Sequence, residues 1–390
     1  MNEYSFNPEP AANAAVASVP EAGGIVAIEI IDILRLRRWL RLKRKQIVHG
    51  VSRSDSIAIP GLSRHPADMG MSVTITTGAR LHFGPLAAAG STGGKFGGVG
   101  MMVSSPGYVL SVQTSANDEY RGDETACQRA AEFICRIREA TGGDPSIQTT
   151  RIEFLNTIPS HAGLGSGTQL ALAVARALSE LAGERNVCVT DLARRAGRGI
   201  RSAIGLHGFA FGGFLVDGGR AGSERLGTLV SRIEFPADWR LILVAPPLSK
   251  GLSGAEEQIA FASQPPMPQS LTADLCRIAL MEWLPGLIEA NYSRVSNAMY
   301  EFGLGVGRFF EPVQGGVFGH PLMGRLADEV RRCGFAGVAQ TSWGPTICVL
   351  CEDAASAQEL MTDLASDSRW NDCVFRLVEP LNRGALVVSK

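Results

Sequence analysis

From residue 73 onward, short apolar runs rich in β-branched residues alternate with longer segments whose apolar positions recur every three to four residues. The first pattern is typical of strands, and the second is typical of helices with a buried face. The predicted strands are residues 73–77, 109–114, 152–155, 214–216, 233–235, 241–244 and 346–351. The predicted helices are residues 123–141, 168–182, 189–197, 274–284, 287–301 and 322–332. This succession predicts an α/β or α+β protein with two cores.

The first 70 residues differ from the rest of the chain. Residues 1–22 are rich in Ala, Pro and Asn and show no periodic pattern, which indicates a disordered tail. A basic block follows at residues 35–45, and it suggests either an amphipathic helix for membranes or nucleic acids or a dispensable extension. We favour the extension, because Met69 and Met71 stand just ahead of the first convincing strand. The predicted organisation is an extension at 1–70, a phosphate-loop domain at 71–225 and a C-terminal domain at 226–390.

Composition and charge narrow the classes of function. The chain of 390 residues carries 37 basic and 38 acidic residues, and a net charge of −1 argues against nucleic acid or an acidic membrane as partner. No run reaches the roughly 18 consecutive apolar residues of a membrane span. The apolar segment 23–34 precedes its positive charge, whereas a secretory signal has the opposite order. We therefore predict a cytoplasmic protein.

The eight cysteines include one closely spaced pair, Cys348 and Cys351, in a predicted strand. Such a pair suggests either a metal or redox site or two buried thiols in a reducing compartment. No second pair and no His at ligand spacing accompanies it, so we favour buried thiols.

A glycine-rich segment between a predicted strand and a predicted helix is the strongest candidate for chemistry. Glycines alternate with Leu164 and Ser166 at residues 163–167, directly before the helix. Free N–H groups and the dipole at a helix N-terminus favour anions, and glycines let the backbone approach phosphate closely. The segment is neither a Walker loop nor a dinucleotide-binding loop. His161 could contact the substrate or only hold the loop. The predicted phosphate-binding residues are Gly163, Leu164, Gly165, Ser166, Gly167 and Thr168.

Residues 159–167 resemble the signature loop of the GHMP kinase superfamily, with Gly167 in the place where that loop usually has a second Ser. With five further segments the chain resembles the β-ribofuranosylaminobenzene 5′-phosphate synthase branch of that superfamily, over residues 73–388. The six segments are residues 77–84, 95–100, 159–169, 199–205, 212–219 and 340–346. The resemblance implies an α+β, two-domain GHMP kinase-like fold. Its N-terminal domain would be of the ribosomal protein S5 domain 2-like type and its C-terminal domain an α/β sandwich. It also implies a homodimer.

The resemblance further implies a reaction between phosphoribosyl pyrophosphate and 4-hydroxybenzoate or 4-aminobenzoate in tetrahydromethanopterin biosynthesis. Carbon dioxide and pyrophosphate would leave, a C-riboside 5′-phosphate would form, and Mg²⁺ would be the cofactor. An ATP-dependent small-molecule kinase is the main alternative. Many superfamily kinases have an acidic residue ahead of the Gly-Gly that follows the third helix, whereas residues 201–213 contain no carboxylate. A catalytically inactive, ligand-binding member is the third possibility.

Cationic side chains are concentrated just before that Gly-Gly. Four arginines, at positions 194, 195, 198 and 201, fall within eight residues. Guanidinium groups suit phosphate and carboxylate because they can bind them with two parallel hydrogen bonds. We expect one or two of the four to reach the ligand, and we select Arg198 and Arg201.

The remaining candidates come from the other segments of the resemblance. Arg80 and His82, placed after the first strand, are candidates for binding the benzoate carboxylate or the ribose phosphate. Lys95 could neutralise pyrophosphate. Asp217 could bind Mg²⁺ or the ribose hydroxyls, or it could cap the turn before two glycines. The predicted aromatic pocket consists of Gln340, Ser342 and Trp343, with core packing as the alternative for Trp343.

Overall fold

Two sheets and the helices packed on them make up the described part of the chain. The structure is a computed structural model, and it describes residues 71–88, 95–143, 149–220, 222, 226–247 and 264–390. The predicted extension at 1–70 lies outside these residues. The described residues belong to one compact unit. None of the helices among them is both long and apolar enough to cross a membrane.

The first two strands extend well beyond the apolar runs from which they are predicted, whereas the predicted strand at 233–235 is wrong in its limits and shares only Ile233 with the observed strand. They are β1 Ser72–Pro85, β2 Gly98–Thr114, β3 Glu119–Arg121, β4 Thr150–Asn156, β5 Phe214–Asp217, β6 Leu229–Ile233, β7 Arg240–Ala245, β8 Val338–Gln340, β9 Ile347–Cys351, β10 Val374–Val378 and β11 Leu386–Ser389. The larger sheet has the order β11-β1-β2-β4-β3, and β5 and β6 continue it from the first part of β2. The smaller sheet has the order β10-β7-β9-β8.

The helices are α1 Glu124–Ala140, α2 Ser166–Leu181, α3 Val189–Arg195, α4 Ile204–Phe211, α5 Gln269–Arg277, α6 Leu284–Ile288, α7 Tyr292–Gln314, α8 Pro321–Arg332 and α9 Ala354–Ser366. A π-helical stretch, Ile278–Trp283, joins α5 to α6. The predicted helix at 287–301 is therefore wrong in its limits. Asn291 caps α7 by accepting from the Arg294 N–H at 3.0 Å, and α7 then runs on to Gly315, whose left-handed φ of 81° ends it.

The first strand is much longer than predicted, and this changes the position of two candidate residues. Burial alternates only up to Thr76, and from Thr77 to Pro85 nearly every residue is buried. A strand that is covered on both faces loses the period of two, so the pattern stops revealing it. Arg80 and His82 therefore lie inside β1, not after it as predicted.

One hydrophobic core extends under the larger sheet and helices α1, α2 and α7, and a second one packs α8 and α9 against the smaller sheet. Strand β6 and strand β11 pair within the larger sheet although both follow residue 225. The predicted boundary between two domains at 225 stays a prediction. Helix α2 is buried over most of its length against β1 and β2, so its N-terminus is held rigidly at the edge of this core.

Candidate active site

The glycine-rich segment forms the joint between β4 and α2. Gly165 is the N-cap of α2 with φ 72°, and Gly163 has φ 74°. Both values lie in the left-handed region, which glycine adopts without steric cost. No side chain caps this helix N-terminus and its first turn has no acidic residue. The first N–H groups of α2, together with the positive end of its dipole, therefore favour the binding of an anion.

Backbone contacts join the loop to two distant segments. The Leu164 carbonyl accepts from the Arg80 N–H at 3.0 Å, while the Leu164 side chain is buried in the core. The Thr341 hydroxyl donates to the Gly163 carbonyl at 2.9 Å and accepts from the His82 N–H at 3.0 Å. One hydroxyl therefore ties the C-terminal motif, β1 and the phosphate loop together.

Guanidinium groups converge on the loop from three elements. A Cβ built on Gly165 would lie 3.2 Å from Arg80 Nε. A Cβ built on Gly167 would lie 2.5 Å from Arg129 Nη2 and 2.8 Å from Arg198 Nη2. Arg198 also reaches Thr168 Oγ1 at 3.5 Å. The loop and the predicted Arg80 and Arg198 are thus brought together at the N-terminus of α2.

The four clustered arginines separate into two pairs. Arg194 forms an exposed ion pair with Asp191 at 2.5 Å, and Arg195 pairs with Glu184. Both guanidinium groups are thus engaged on the surface. Arg198 lies over the loop, and Arg201 is half-buried beside Ser202. That one or two of the four reach a ligand stays a prediction.

His82 is buried and its ring lies beside the start of α4. Its Nε2 is 3.1 Å from Ser202 Oγ, and a Cβ built on Gly98 would lie 2.9 Å from the same nitrogen. Burial, with a smaller effect from the neighbouring Arg80, lowers the pKa of His82 to about 3. The imidazole is therefore neutral near pH 7 and can orient a ligand by hydrogen bonding, but it adds no positive charge.

Asp217 is fully buried at the end of β5, and backbone groups occupy its carboxylate. Oδ2 accepts from the Ala203 N–H at 2.7 Å and Oδ1 from the Gly219 N–H at 2.8 Å. A Cβ on Gly227 would lie only 2.3 Å from Oδ1. Burial raises the pKa of Asp217. This geometry favours the turn-capping interpretation over the Mg²⁺ ligand.

Lys95 lies apart from the loop. Its backbone exchanges hydrogen bonds with that of Arg220, at 3.0 and 2.9 Å, and its side chain is exposed. The Arg220 guanidinium stacks over the Phe96 ring at 5.4 Å. The predicted contact of Lys95 with pyrophosphate stays a prediction.

The C-terminal motif, residues 340–346, folds against β1. Ser342 has a positive φ of 55°, and its N–H donates to the His82 carbonyl at 2.6 Å. The Gln340 side chain accepts from the Gly319 N–H at 2.6 Å and donates to Gln314 Oε1 at 3.2 Å. It therefore shapes the neighbouring loop. Trp343 is buried, with its ring 4.6 Å from that of Phe310, so packing accounts for much of its surface.

Arg129 is a site residue that the sequence analysis missed. Its Nη1 donates to Ser160 Oγ at 3.1 Å and to Ser166 Oγ at 3.3 Å. A signal was available, because Arg129 stands three residues after Ala126 and four before Phe133, both buried on α1. A charged residue on the apolar face of a helix needs a reason to be there.

The closely spaced cysteines, Cys348 and Cys351, lie in the interior of the protein. Cys348 and Cys351 are buried and free on β9. Burial raises the pKa of Cys351 to about 12 and that of Cys348 well above its usual value. Both features fit structural thiols. Within the described residues, no group of three or more His, Cys, Asp or Glu side chains is arranged to hold a metal.

Comparison with known proteins identifies the class. The family model described as the GHMP kinases N terminal domain matches residues 127–213, and the GHMP kinases C terminal model matches residues 283–367. A mevalonate diphosphate decarboxylase from Staphylococcus aureus has the same fold, with a TM-score of 0.60 at 16% identity over 83% of this chain and 100% of that one. A homoserine kinase from Cytophaga hutchinsonii has a TM-score of 0.56 at 19% identity, and the match covers 81% of this chain and 97% of that one. These matches confirm the predicted resemblance to the GHMP kinase superfamily and its α+β GHMP kinase-like fold.

Three curated proteins that are similar to this chain carry one and the same name. The chain is 29% identical over 326 residues to the β-ribofuranosylphenol 5′-phosphate synthase of Archaeoglobus fulgidus. This match covers 80% of this chain and 97% of that one. The enzyme of the same name from Methanothermobacter thermautotrophicus is 29% identical over 300 residues, 72% of this chain and 88% of that one. The family resemblance inferred from the six sequence segments is thereby confirmed.

Proposed function

We propose that this chain is a decarboxylating phosphoribosyltransferase of the β-ribofuranosylphenol 5′-phosphate synthase type. It joins phosphoribosyl pyrophosphate to 4-hydroxybenzoate, releasing carbon dioxide and pyrophosphate, as a step of tetrahydromethanopterin biosynthesis. The observation that carries the proposal is the uncapped N-terminus of α2 facing Arg80 and Arg198, in a chain similar to three curated synthases. The name of these relatives specifies a phenol, which supports 4-hydroxybenzoate over 4-aminobenzoate.

The proposed reaction requires a site that stabilises the negative charge of the leaving pyrophosphate and holds the two substrates in line. The bond from C1 of the ribose to pyrophosphate breaks, and the electron pair leaves with pyrophosphate. The ring carbon that bears the carboxylate bonds to C1. The carbon–carboxylate bond then breaks and its electron pair restores the aromatic ring. No covalent nucleophile and no net proton transfer are needed, so fixed N–H and guanidinium donors suit this chemistry. Holding both substrates in line can contribute roughly 7–11 kcal/mol at best.

The roles that we propose follow the geometry. The first N–H groups of α2, with Ser166, Thr168 and Arg198, bind phosphate oxygens. Arg80 binds the second anion, the benzoate carboxylate or the ribose phosphate, and neutral His82 orients it. The residues Gly163, Leu164, Gly165 and Gly167 contribute backbone, while Arg201, Gln340, Ser342 and Trp343 line or support the substrate pocket.

Mg²⁺ remains a proposal that rests on the superfamily alone. One solved neighbour is MDDEF in complex with MVAPP, AMPPCP and magnesium, with a TM-score of 0.59 at 16% identity over 82% of this chain and 100% of that one. Mg²⁺ is usually held by one or two carboxylates together with substrate phosphates. The Asp217 carboxylate is already bonded to two backbone N–H groups, so it does not fit that role. No step described above depends on the ion. The homodimer and the cytoplasmic location also stay predictions.

The test is release of labelled carbon dioxide from carboxyl-labelled 4-hydroxybenzoate in the presence of phosphoribosyl pyrophosphate, with labelled 4-aminobenzoate measured in parallel. We expect release with the hydroxyl substrate and formation of a C-riboside 5′-phosphate. ATP-dependent phosphorylation of a small alcohol without such release would overturn the proposal in favour of a kinase. Binding of phosphoribosyl pyrophosphate by calorimetry without turnover would show an inactive member.

Arg80 offers a matched pair of variants. Arg80→Ala should reduce kcat/KM by about 100-fold or more, because truncating one partner of a buried charged contact typically costs 2–5 kcal/mol. Arg80→Lys keeps the charge but loses the planar fork, so it should lie between Ala and wild type. Equal kinetics for all three proteins would show that Arg80 only supports the fold.

A further inference from the structure

Two guanidinium groups occupy the space above Gly167, where the usual superfamily loop has a serine side chain. The Nη2 atoms of Arg129 and Arg198 lie 2.5 and 2.8 Å from the position that a Cβ on Gly167 would take. Because both distances run to the same point, the two nitrogens are within about 5.3 Å of each other. A Cβ at position 167 would therefore force both guanidinium groups to shift from these positions.

Neutral groups hold Arg129 in place and also contact Arg198. Arg129 donates to the hydroxyls of Ser160 and Ser166, and Arg198 reaches the hydroxyl of Thr168. The Arg198 guanidinium also lies 5.8 Å from the centre of the Phe133 ring. In the described part of the chain, no carboxylate lies within ion-pair distance of Arg129. Arg129 is therefore oriented by hydroxyls beside a second guanidinium group and a helix N-terminus, an arrangement that an anion stabilises.

The charge of the cluster indicates which anion. Arg129 and Arg198 contribute two positive charges, the α2 N-terminus adds roughly half a charge, and Arg80 lies over the adjacent Gly165. Pyrophosphate carries more negative charge than a phosphate monoester, and its two phosphates can contact two guanidinium groups at once.

We infer that Gly167 is a specificity-determining residue that makes room for an Arg129–Arg198 clamp, and that this clamp binds the pyrophosphate group of the phosphoribosyl substrate. The inference rests on the proposed function and names the part of the substrate that this end of the site recognises. Arg129 becomes a substrate-binding residue, and the glycine becomes the sequence feature that separates this loop from one with serine at the same position.

The test is calorimetric binding of two probes, inorganic pyrophosphate and ribose 5-phosphate, to wild type, Arg129→Ala and Gly167→Ser. Both variants should weaken pyrophosphate binding by about 30-fold or more and change ribose 5-phosphate binding by less than about threefold. The double variant should bind pyrophosphate about as well as either single variant, because the serine acts by displacing the guanidinium group. Additive losses would contradict that mechanism.

Arg136→Ala is the matched control. Arg136 lies on the same helix and over the same Phe133 ring, at 5.9 Å, yet it is exposed. We expect unchanged binding of both probes. Pyrophosphate binding that is unaffected in Arg129→Ala, or a loss confined to ribose 5-phosphate, would overturn the inference. If wild type binds pyrophosphate through the clamp but releases no carbon dioxide, the proposed function fails while the clamp stands.

Discussion

The N-termini of α2 and α4 lie side by side, but only the N–H groups at the start of α4 donate to side chains that cap the helix. Gln169, near the start of α2, donates to the Gly205 carbonyl of α4 at 2.8 Å. The start of α4 is closed by side chains of the protein, because Asp217 accepts from the Ala203 N–H and Ser202 accepts from the Ile204 N–H. The start of α2 has no side-chain cap and faces arginines.

The two helix N-termini differ in which groups accept hydrogen bonds from their first N–H groups. A carboxylate at a helix N-terminus satisfies the free N–H groups and neutralises the dipole, so that end is stable and closed to ligands. Glycines and arginines leave the neighbouring end without a side-chain cap and close to positive charge, which favours an anion there.

Removing the buried carboxylate of the closed end should cause the largest change. Asp217→Ala leaves the Ala203 and Gly219 N–H groups buried without their acceptor, so the free energy of unfolding should fall by about 4 kcal/mol. Urea denaturation measures this. Asp217→Asn keeps one carbonyl acceptor and should lose about half as much. A loss below 1 kcal/mol for the alanine variant would contradict a structural role.

The second prediction concerns His82, which links the closed end to β1. Its pKa is lowered to about 3, whereas an unfolded His titrates near 6.5. Between these pH values the unfolded state binds more protons than the folded state. The contribution of His82 to the free energy of unfolding is therefore fully present above pH 6.5 and is lost as the pH falls. Between pH 6.5 and pH 4 the loss from His82 should be about 3 kcal/mol. Comparing urea unfolding of wild type and His82→Asn over this range should show a smaller decrease in the variant, and parallel curves would refute the assignment.

The third prediction addresses the support of the open end. Thr341→Val removes the hydroxyl that joins the Gly163 carbonyl to the His82 N–H, and stability should fall by about 2 kcal/mol. Because the loop loses its anchor, KM for phosphoribosyl pyrophosphate should rise more than kcat falls. Thr341→Ser retains the hydroxyl and should restore KM. A variant pair with the same KM would show that the anchor does not act on the loop.

The smallest effect should come from an arginine that looks equivalent in sequence. Arg194 forms an exposed ion pair with Asp191, and such pairs contribute little. Arg194→Ala should change kcat/KM by less than about twofold, whereas Arg198→Ala, four residues later, should reduce it by at least about 30-fold. Steady-state kinetics of the two variants side by side would decide, and equal losses would remove the distinction between surface and site arginines.

Much of this architecture follows from the sequence. The helix α1 begins and ends within a residue of its predicted limits at 123–141, because its apolar positions recur every three to four residues and Asp123 caps it. The turn before α2 also follows from local chemistry, since Gly163 and Gly165 adopt the left-handed backbone that glycine allows without steric cost. The CxxC pair was correctly interpreted as buried thiols from the missing partners alone.

Tertiary structure alone decided which side chains meet. Arg80 and His82 were predicted after β1 but lie inside it, since burial on both faces removes the alternation that marks a strand. The sequence gives no reason to distinguish the arginines at positions 194, 195, 198 and 201. In the fold, Arg194 and Arg195 form ion pairs, whereas the guanidinium group of Arg198 lies over Gly167. Arg129 is 38 positions from that glycine, so no local pattern could connect them. Sequence determines the backbone conformation locally, whereas the convergence of charges on one helix N-terminus depends on packing between elements that are distant along the chain.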